Sequence, residues 1–334
     1  MNTVCHSFGG AICIVAALLM AVSAPAQNLF EADYHSGSVN EITPAGAQSI
    51  FVSGVNGPLG LAFDNAGNLF LVNHVGTIIK ITPSGVQSTF ASGLNTPQGL
   101  AFDSADNLFV ADFGGGNIYE FTPDGTKSTF ASGLQPYSLA FNGAGNLFEG
   151  DNSGNIYKFT PGGGRSTFAS GLSVPYGLAF DSAGNLFVAT GGSIPGAGNI
   201  YEFTPDGTRS NFASGLSYPI GLAFNSAGDL FEADYNSGNV YEFTPGGAQS
   251  TFASGLHAPA FLAFQPSSEL MAAVTNGVIQ VAVTMPSPYY STIVQVSTDM
   301  VNWTSVCTNT PPFTFTNSID MTLPCRFYRA LLGP

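Results

Sequence analysis

Charge is what this chain has least of. Only 8% of its 334 residues are Asp, Glu, Lys or Arg, and only 7 of those are basic. The formal net charge is −14, so phosphate backbones and anionic membranes are repelled and nucleic-acid binding is excluded. The same shortage of charge excludes a coiled coil. Acidic chains can be disordered, but 44% hydrophobic residues argue against that here. There is no Ser-His-Asp motif, no zinc-type Cys/His cluster and no phosphate loop. Apart from residues 11–22, no segment is apolar enough to cross a bilayer, and that run is short for the task.

What is present begins with an export signal. The 11–22 run is followed by Ala24-Pro25-Ala26, small residues of the kind signal peptidase requires. Residues 1–26 are therefore expected to be a signal peptide, and a secreted, extracellular or periplasmic chain to start at Gln27. Cys5 and Cys13 leave with it. Cys307 and Cys325 remain, and in an oxidising compartment a pair is most simply a disulfide.

Glycine is abundant, with 41 copies, and its distribution is periodic. The tripeptide Asn-Leu-Phe opens at Asn28, Asn68, Asn107, Asn146 and Asn185, and Asp229 opens a sixth copy. The spacing is about 40 residues, the length of a four-stranded propeller blade. In the third copy Asn107 to Asp112, Asn117 to Phe121, Ser128 to Ala131 and Ser138 to Phe141 alternate as strands. Gly114-Gly115-Gly116, Pro123-Asp124-Gly125 and Asn142 to Gly145 supply the turns. No stretch shows helical periodicity. Phenylalanines recur in register, as at Phe70, Phe109 and Phe148, and are expected to fill the space between blades.

The repeats are out of phase with the ends of the array. They start on a second strand and finish on a lone first strand, residues 259–264. One C-terminal strand and three N-terminal strands would complete one blade and leave no open edge. The expected fold is all-β: a six-bladed β-propeller over residues 27–267, with four-stranded blades and 1+3 strand closure. A small β-sandwich-like C-terminal domain follows over 268–334. Strands are expected there at 278–284, 292–297, 313–316 and 327–331, with Trp303 as a core anchor.

Three motifs carry a family resemblance. They are Pro-x-Gly-Leu-Ala-Phe-Asp (from Pro97), Gly-Asn-Leu-Phe-Val-Ala-Asp (from Gly184, with Thr190 ending it) and Asn-Ile-Tyr-Glu-Phe (from Asn117). Together they resemble the NHL repeat. The Thr-Pro-Asp-Gly ending resembles blades of virginiamycin B lyase-like proteins, and the wider kin are the gluconolactonase (SMP-30, regucalcin-like) propellers. The resemblance implies the fold over Asn28 to about Gln265; activity does not follow from it, because such families hold both enzymes and binding modules. The lactonases resemble one another in a Glu-Gly-Pro opening. Here Asn56-Gly57-Pro58, Thr96-Pro97-Gln98, Val174-Pro175-Tyr176 and Tyr218-Pro219-Ile220 carry no carboxylate.

Ligands of propellers commonly sit over the central channel, on the face where each second strand turns into the third. The repeat puts Asp33, Asp112, Asp151 and Asp234 there, with Asn73 and Thr190 as substitutes. Two residues earlier, Glu31, Glu149 and Glu232 replace Leu or Val. Such a carboxylate ring can bind a hard cation such as Ca²⁺, or each Asp can serve only its own turn. Departures from the repeat point to His35, His74 and His257, which should share this face and can act as metal ligands or a general base. Two functions remain open. One is a binding or interaction module for a small molecule, glycan or protein at the propeller face. The other is a metal-dependent enzyme of the lactonase or lyase type.

Overall fold

The computed structural model describes residues 27–191, 194 and 196–266 with their side chains, and the backbone of six further strands between 269 and 332. The signal-peptide reading, Trp303 and Cys325 lie outside the described residues; Cys307 falls in the strand Thr304–Asn309.

Six four-stranded antiparallel sheets make up residues 27–266, and no helix occurs among the described residues. Blade 1 consists, from the inside outward, of Pro259–Phe264, Leu29–Asp33, Ser38–Ile42 and Gln48–Ser53. The expected closure is therefore present. Leu29 pairs with Phe264, Phe30 with Ala263 and Glu31 with Leu262. Blades 2 to 6 open on Pro58–Phe63, Pro97–Phe102, Pro136–Phe141, Pro175–Phe180 and Pro219–Phe224.

Second strands are buried on both sides, which is why each opens on consecutive apolar residues, Leu-Phe, and places its polar side chains, such as Glu31, Asp33 and Asp112, in the interior as well. Phe30 and Ala32 pack with Leu61, Leu69 and Leu71 of blade 2, whereas Leu29 packs with Phe231 and Ala233 of blade 6. Each seam holds the same aromatic triad. Phe30 meets Phe51 of its own blade and Phe63 of the next blade edge to face. Phe231, Phe252 and Phe264 repeat this contact where the ring closes, at centroid distances of 4.8 and 5.0 Å. Truncating one such ring typically costs about 3–5 kcal/mol, so the phenylalanine array is scaffold.

The inner strands approach one another at backbone level. A Cβ built on Gly221 would lie 2.6 Å from the carbonyl oxygen of Ala260, and one on Gly60 would collide with that of Gln98. Five blades carry Gly or Ser at this position, namely Gly60, Gly99, Ser138, Gly177 and Gly221, whereas blade 1 carries Phe261.

Residues 26–267 form one compact unit, and Ser268–Pro334 belong to another. The second contains two three-stranded sheets: Glu269–Thr275, Val278–Thr284 and Phe313–Ser318 in one, Thr304–Asn309, Thr292–Ser297 and Phe327–Leu332 in the other. Two of these strands, Glu269–Thr275 and Thr304–Asn309, were not expected from the sequence. Ala and Met in the first, and Ser and Asn in the second, weaken the β-branched, alternating signature by which strands are read.

Candidate functional site

Each second strand ends on the face where it turns into the third, and the repeated aspartates there bind backbone. Asp33 accepts from the amides of Ser36 (3.1 Å) and His257 (2.7 Å). Asp151 accepts from Gln135 and Ser153, and Asp234 from Ser217 and Ser237. Asp112 accepts from the Asn95 amide at 2.6 Å. In every case one bond fastens the loop that leads into the blade's own inner strand. Asn73 does a related task by accepting from Thr77, and the Thr190 hydroxyl donates to the Asn199 carbonyl. Burial raises the Asp112 carboxyl above its usual range, opposed by the Asn95 amide and by Lys127. These side chains clamp the loops of the face, with buried charge compensated by N–H groups.

Glu31, Glu149 and Glu232 are each 0% exposed. They lie on the side of the second strand that faces the preceding blade, where blades 2, 3 and 5 place Leu71, Val110 and Val188 in the seam core. Glu31 accepts from the Asn40 amide at 2.9 Å. That bond ends a polar chain that starts at the exposed Ser36 and runs through Ser38. The second oxygen of Glu31 and both oxygens of Glu149 and Glu232 have no protein partner. Desolvation pushes Glu31 up to about 8 and Glu149 up to about 9, and raises Glu232 well above the usual carboxylate range. Asp33, Asp151 and Asp234, two residues on, add to the shift. No solvent-borne ligand touches these groups while the seams are closed.

The three histidines lie around blade 1 on the aspartate face. His35 Nε2 is 3.3 Å from the Tyr235 hydroxyl, and the His74 ring stands edge-on to Tyr34. His257 is 75% exposed, with Nδ1 3.9 Å from Asp33. Among the described residues, no group of three or more His, Cys, Asp or Glu side chains is placed to hold a metal ion.

The side chains that do converge are aromatic. His74 of blade 2 touches Tyr34 of blade 1, which touches Tyr235 of blade 6. From there contacts run through Tyr218 to Tyr176 of blade 5, Tyr137 of blade 4 and Phe113 of blade 3. Centroid distances along the arc are 4.7–6.3 Å, so a collar of rings visits every blade. The six non-histidine rings are all half-exposed. Tyr218 donates to the Tyr176 hydroxyl at 2.6 Å. Burial raises Tyr137, Tyr176 and Tyr235 above the usual phenol range, so these hydroxyls stay protonated at neutral pH. Gly191 makes room for the pair in blades 5 and 6, since a Cβ there would stand 2.5 Å from the Tyr176 ring.

The collar was missed from sequence because its members occupy three different repeat positions. Tyr34, His74, Phe113 and Tyr235 follow the strand-end Asp or Asn, and Tyr137, Tyr176 and Tyr218 flank the proline of an inner strand. Backbone bonds bring such positions together, as between the Tyr235 amide and the Tyr218 carbonyl. Departures from the repeat at those positions were the available signal. Elsewhere, grooves of about 650 and 500 Å³ lie along the 3/4 and 5/6 seams. Equivalent residues line both, Phe109 and Glu120 in one, Phe187 and Glu202 in the other, so the repeat itself makes them.

The sequence matches no family model and no curated protein. Its fold is shared with solved structures. A gluconolactonase from Xanthomonas campestris is similar with a TM-score of 0.55 at 17% identity, over 78% of this chain and 94% of that one. Virginiamycin B lyase from Staphylococcus aureus gives a TM-score of 0.54 at 14% identity, over 79% and 94%. A protein of unknown function from Bacteroides caccae gives 0.56 at 15% identity, over 71% and 98%. The six-bladed propeller of the gluconolactonase and virginiamycin B lyase type, suggested by the repeat, is thus the fold of this chain.

Proposed function

We propose that this chain is a secreted propeller that binds a small organic ligand against its aromatic collar. The observation that carries the reading is the collar itself: six half-exposed rings and two exposed histidines in mutual contact on one face. Aromatic rings offer large contact area at small entropic cost, and protonated tyrosine hydroxyls add hydrogen bonds at the rim. A ligand with a flat or ring-shaped apolar face, such as a sugar or a small heterocycle, fits such a surface. The apolar run 11–22 and the small residues Ala24-Pro25-Ala26 support the assignment to the outside of the cell; protein recovered from the culture medium should begin at Gln27. The expected Cys307–Cys325 disulfide belongs to the same proposal, and thiol titration of the exported protein should find no free cysteine.

The test is ligand-observed NMR with a panel of neutral glycans and small heterocycles. Tyr176→Ala with Tyr218→Ala should weaken any hit by about tenfold to a hundredfold, as expected for the loss of two ring contacts. Retention of full affinity in that variant would refute the collar as the site.

A second reading, an enzyme of the lactonase or lyase type, is favoured by one observation: His35 sits on the collar within reach of the Tyr235 hydroxyl, where an imidazole can act as a general base. Two of the structural relatives, a gluconolactonase and a lyase, bear enzyme names. Under this reading purified protein opens a lactone or a streptogramin ring, and His35→Ala lowers the rate by about a hundredfold or more. Turnover unchanged in that variant would reject the histidine.

A further inference from the structure

We infer that the ligand of the collar is an organic cation, a substituted ammonium carried by a small molecule; this rests on the reading of the collar as a binding face. The argument comes from where the positive charges of the propeller are. Residues 27–266 contain five basic side chains, Lys80, Lys127, Lys158, Arg165 and Arg209. All five sit toward the end of the blades remote from the collar. Lys127, Arg165 and Arg209 pair with Phe121, Phe159 and Phe203, the last residues of the third strands. Lys80 and Lys158 pair with Phe70 and Phe148, near the starts of the second strands.

Each of those cations already lies over an aromatic ring. Lys127 stands 3.5 Å above the centroid of Tyr119, Arg209 and Arg165 stand 5.0 and 5.2 Å from Tyr201 and Tyr157, and Lys80 and Lys158 stand 5.1 and 5.8 Å from Phe70 and Phe148. Thus every basic residue of the propeller is engaged by a ring, and none of them covers a ring of the collar. At the collar end the charges are those of Asp33, Asp112 and Asp234, which directly precede Tyr34, Phe113 and Tyr235 in the chain, and of Asp151, which holds the Gln135 amide two residues before Tyr137. Electron-rich faces beside buried carboxylates, with Lys127 acting on Asp112 but no lysine or arginine lying over a collar ring, suit a cation and disfavour an anion. A positive ligand gains from the ring quadrupoles and from the carboxylate field at once, whereas a neutral sugar gains contact and hydrogen bonds but nothing from either field.

Choline and its uncharged isostere 3,3-dimethyl-1-butanol separate these contributions, because they differ in charge and hardly in shape. Calorimetric titration of the exported protein should give a dissociation constant for choline at least about tenfold lower than for the alcohol. The choline affinity should fall as salt is raised. It should also fall by about tenfold in Tyr235→Leu and, independently, in Tyr218→Leu, with each variant's thermal midpoint checked against the parent. Equal affinity for the two compounds would overturn the cation and leave the collar as a binding face. Choline binding untouched by both substitutions would place the cation elsewhere and overturn the inference. If choline, the alcohol and the neutral glycans all fail to bind at millimolar concentration, both readings fall together.

Discussion

Replacing Glu149 and Glu232 together with valine should raise the stability of the propeller, and the gain should grow from pH 5 to pH 9. Both carboxyls are wholly buried in seams, have no protein hydrogen-bond partner, and stand where blades 3 and 5 place Val110 and Val188. A carboxyl in the unfolded chain titrates near 4.5, whereas Glu149 in the fold titrates near 9. Between those values the folded state holds more protons than the unfolded state. The contribution is therefore fully present below about pH 4.5 and is lost as pH rises toward 9. The loss is on the order of several kcal/mol for a group so deeply buried. Valine removes that titration together with an unpaired hydroxyl, itself a cost of about 1–3 kcal/mol. The two sites lie in different seams, so their effects should add. Thermal unfolding of parent and variant across this pH range is the measurement: a falling midpoint for the parent, a flatter and higher one for the variant. Parallel curves would show that the seams already accommodate the charge. Glu31, held by Asn40 and titrating near 8, predicts a smaller gain, and Glu31→Gln should remove only its part of the slope.

A larger effect is expected at the closure. A chain ended after Pro266 should unfold cooperatively, whereas one ended after Ala258 should not fold. The eight residues that separate these ends include the whole inner strand of blade 1, Pro259–Phe264. That strand pairs with Leu29–Asp33, places Leu262 in the 6/1 seam and completes the Phe231 triad through Phe264. Loss of the buried Leu262 and the partly buried Phe264 costs up to about 5–10 kcal/mol before the pairing is considered, comparable with the whole stability of many domains. The cut would also bare a strand edge and invite aggregation. Circular dichroism and limited proteolysis of the two truncations decide the matter. A cooperative transition in the shorter chain would show that three strands suffice for blade 1.

The sequence was legible where one residue type recurred at one repeat position. A spacing of about 40 residues and phenylalanines in register disclosed blades and seams, and the phase of the ends disclosed which strand closes the ring. Legibility stopped at side-chain direction. Glu31 and Asp33 alternate along the same strand and read as one ring of ligands. Yet the Glu position lies between two sheets and the Asp position at the strand's end, and only packing on both sides reveals this. The collar was hidden for a different reason. Tyr235 and Tyr218 belong to unlike repeat positions, and Tyr34 meets Tyr235 only after blade 1 has met blade 6. The strands Glu269–Thr275 and Thr304–Asn309 were lost because their composition is weakly β-like.

The glycines of the inner strands bear on how such a protein can change its ligand. With Gly60 against Gln98 and Gly221 against Ala260, neighbouring staves already touch main chain to main chain. Enlarging Gly60 or Gly221 would press on that backbone, although blade 4 takes Ser138 and blade 1 takes Phe261 at the same position, and nothing smaller than glycine exists to narrow the bore. With glycine in four of six blades the bore stands close to its minimum width. New selectivity is most readily acquired above it, by exchanging residues in the turns that carry the rim.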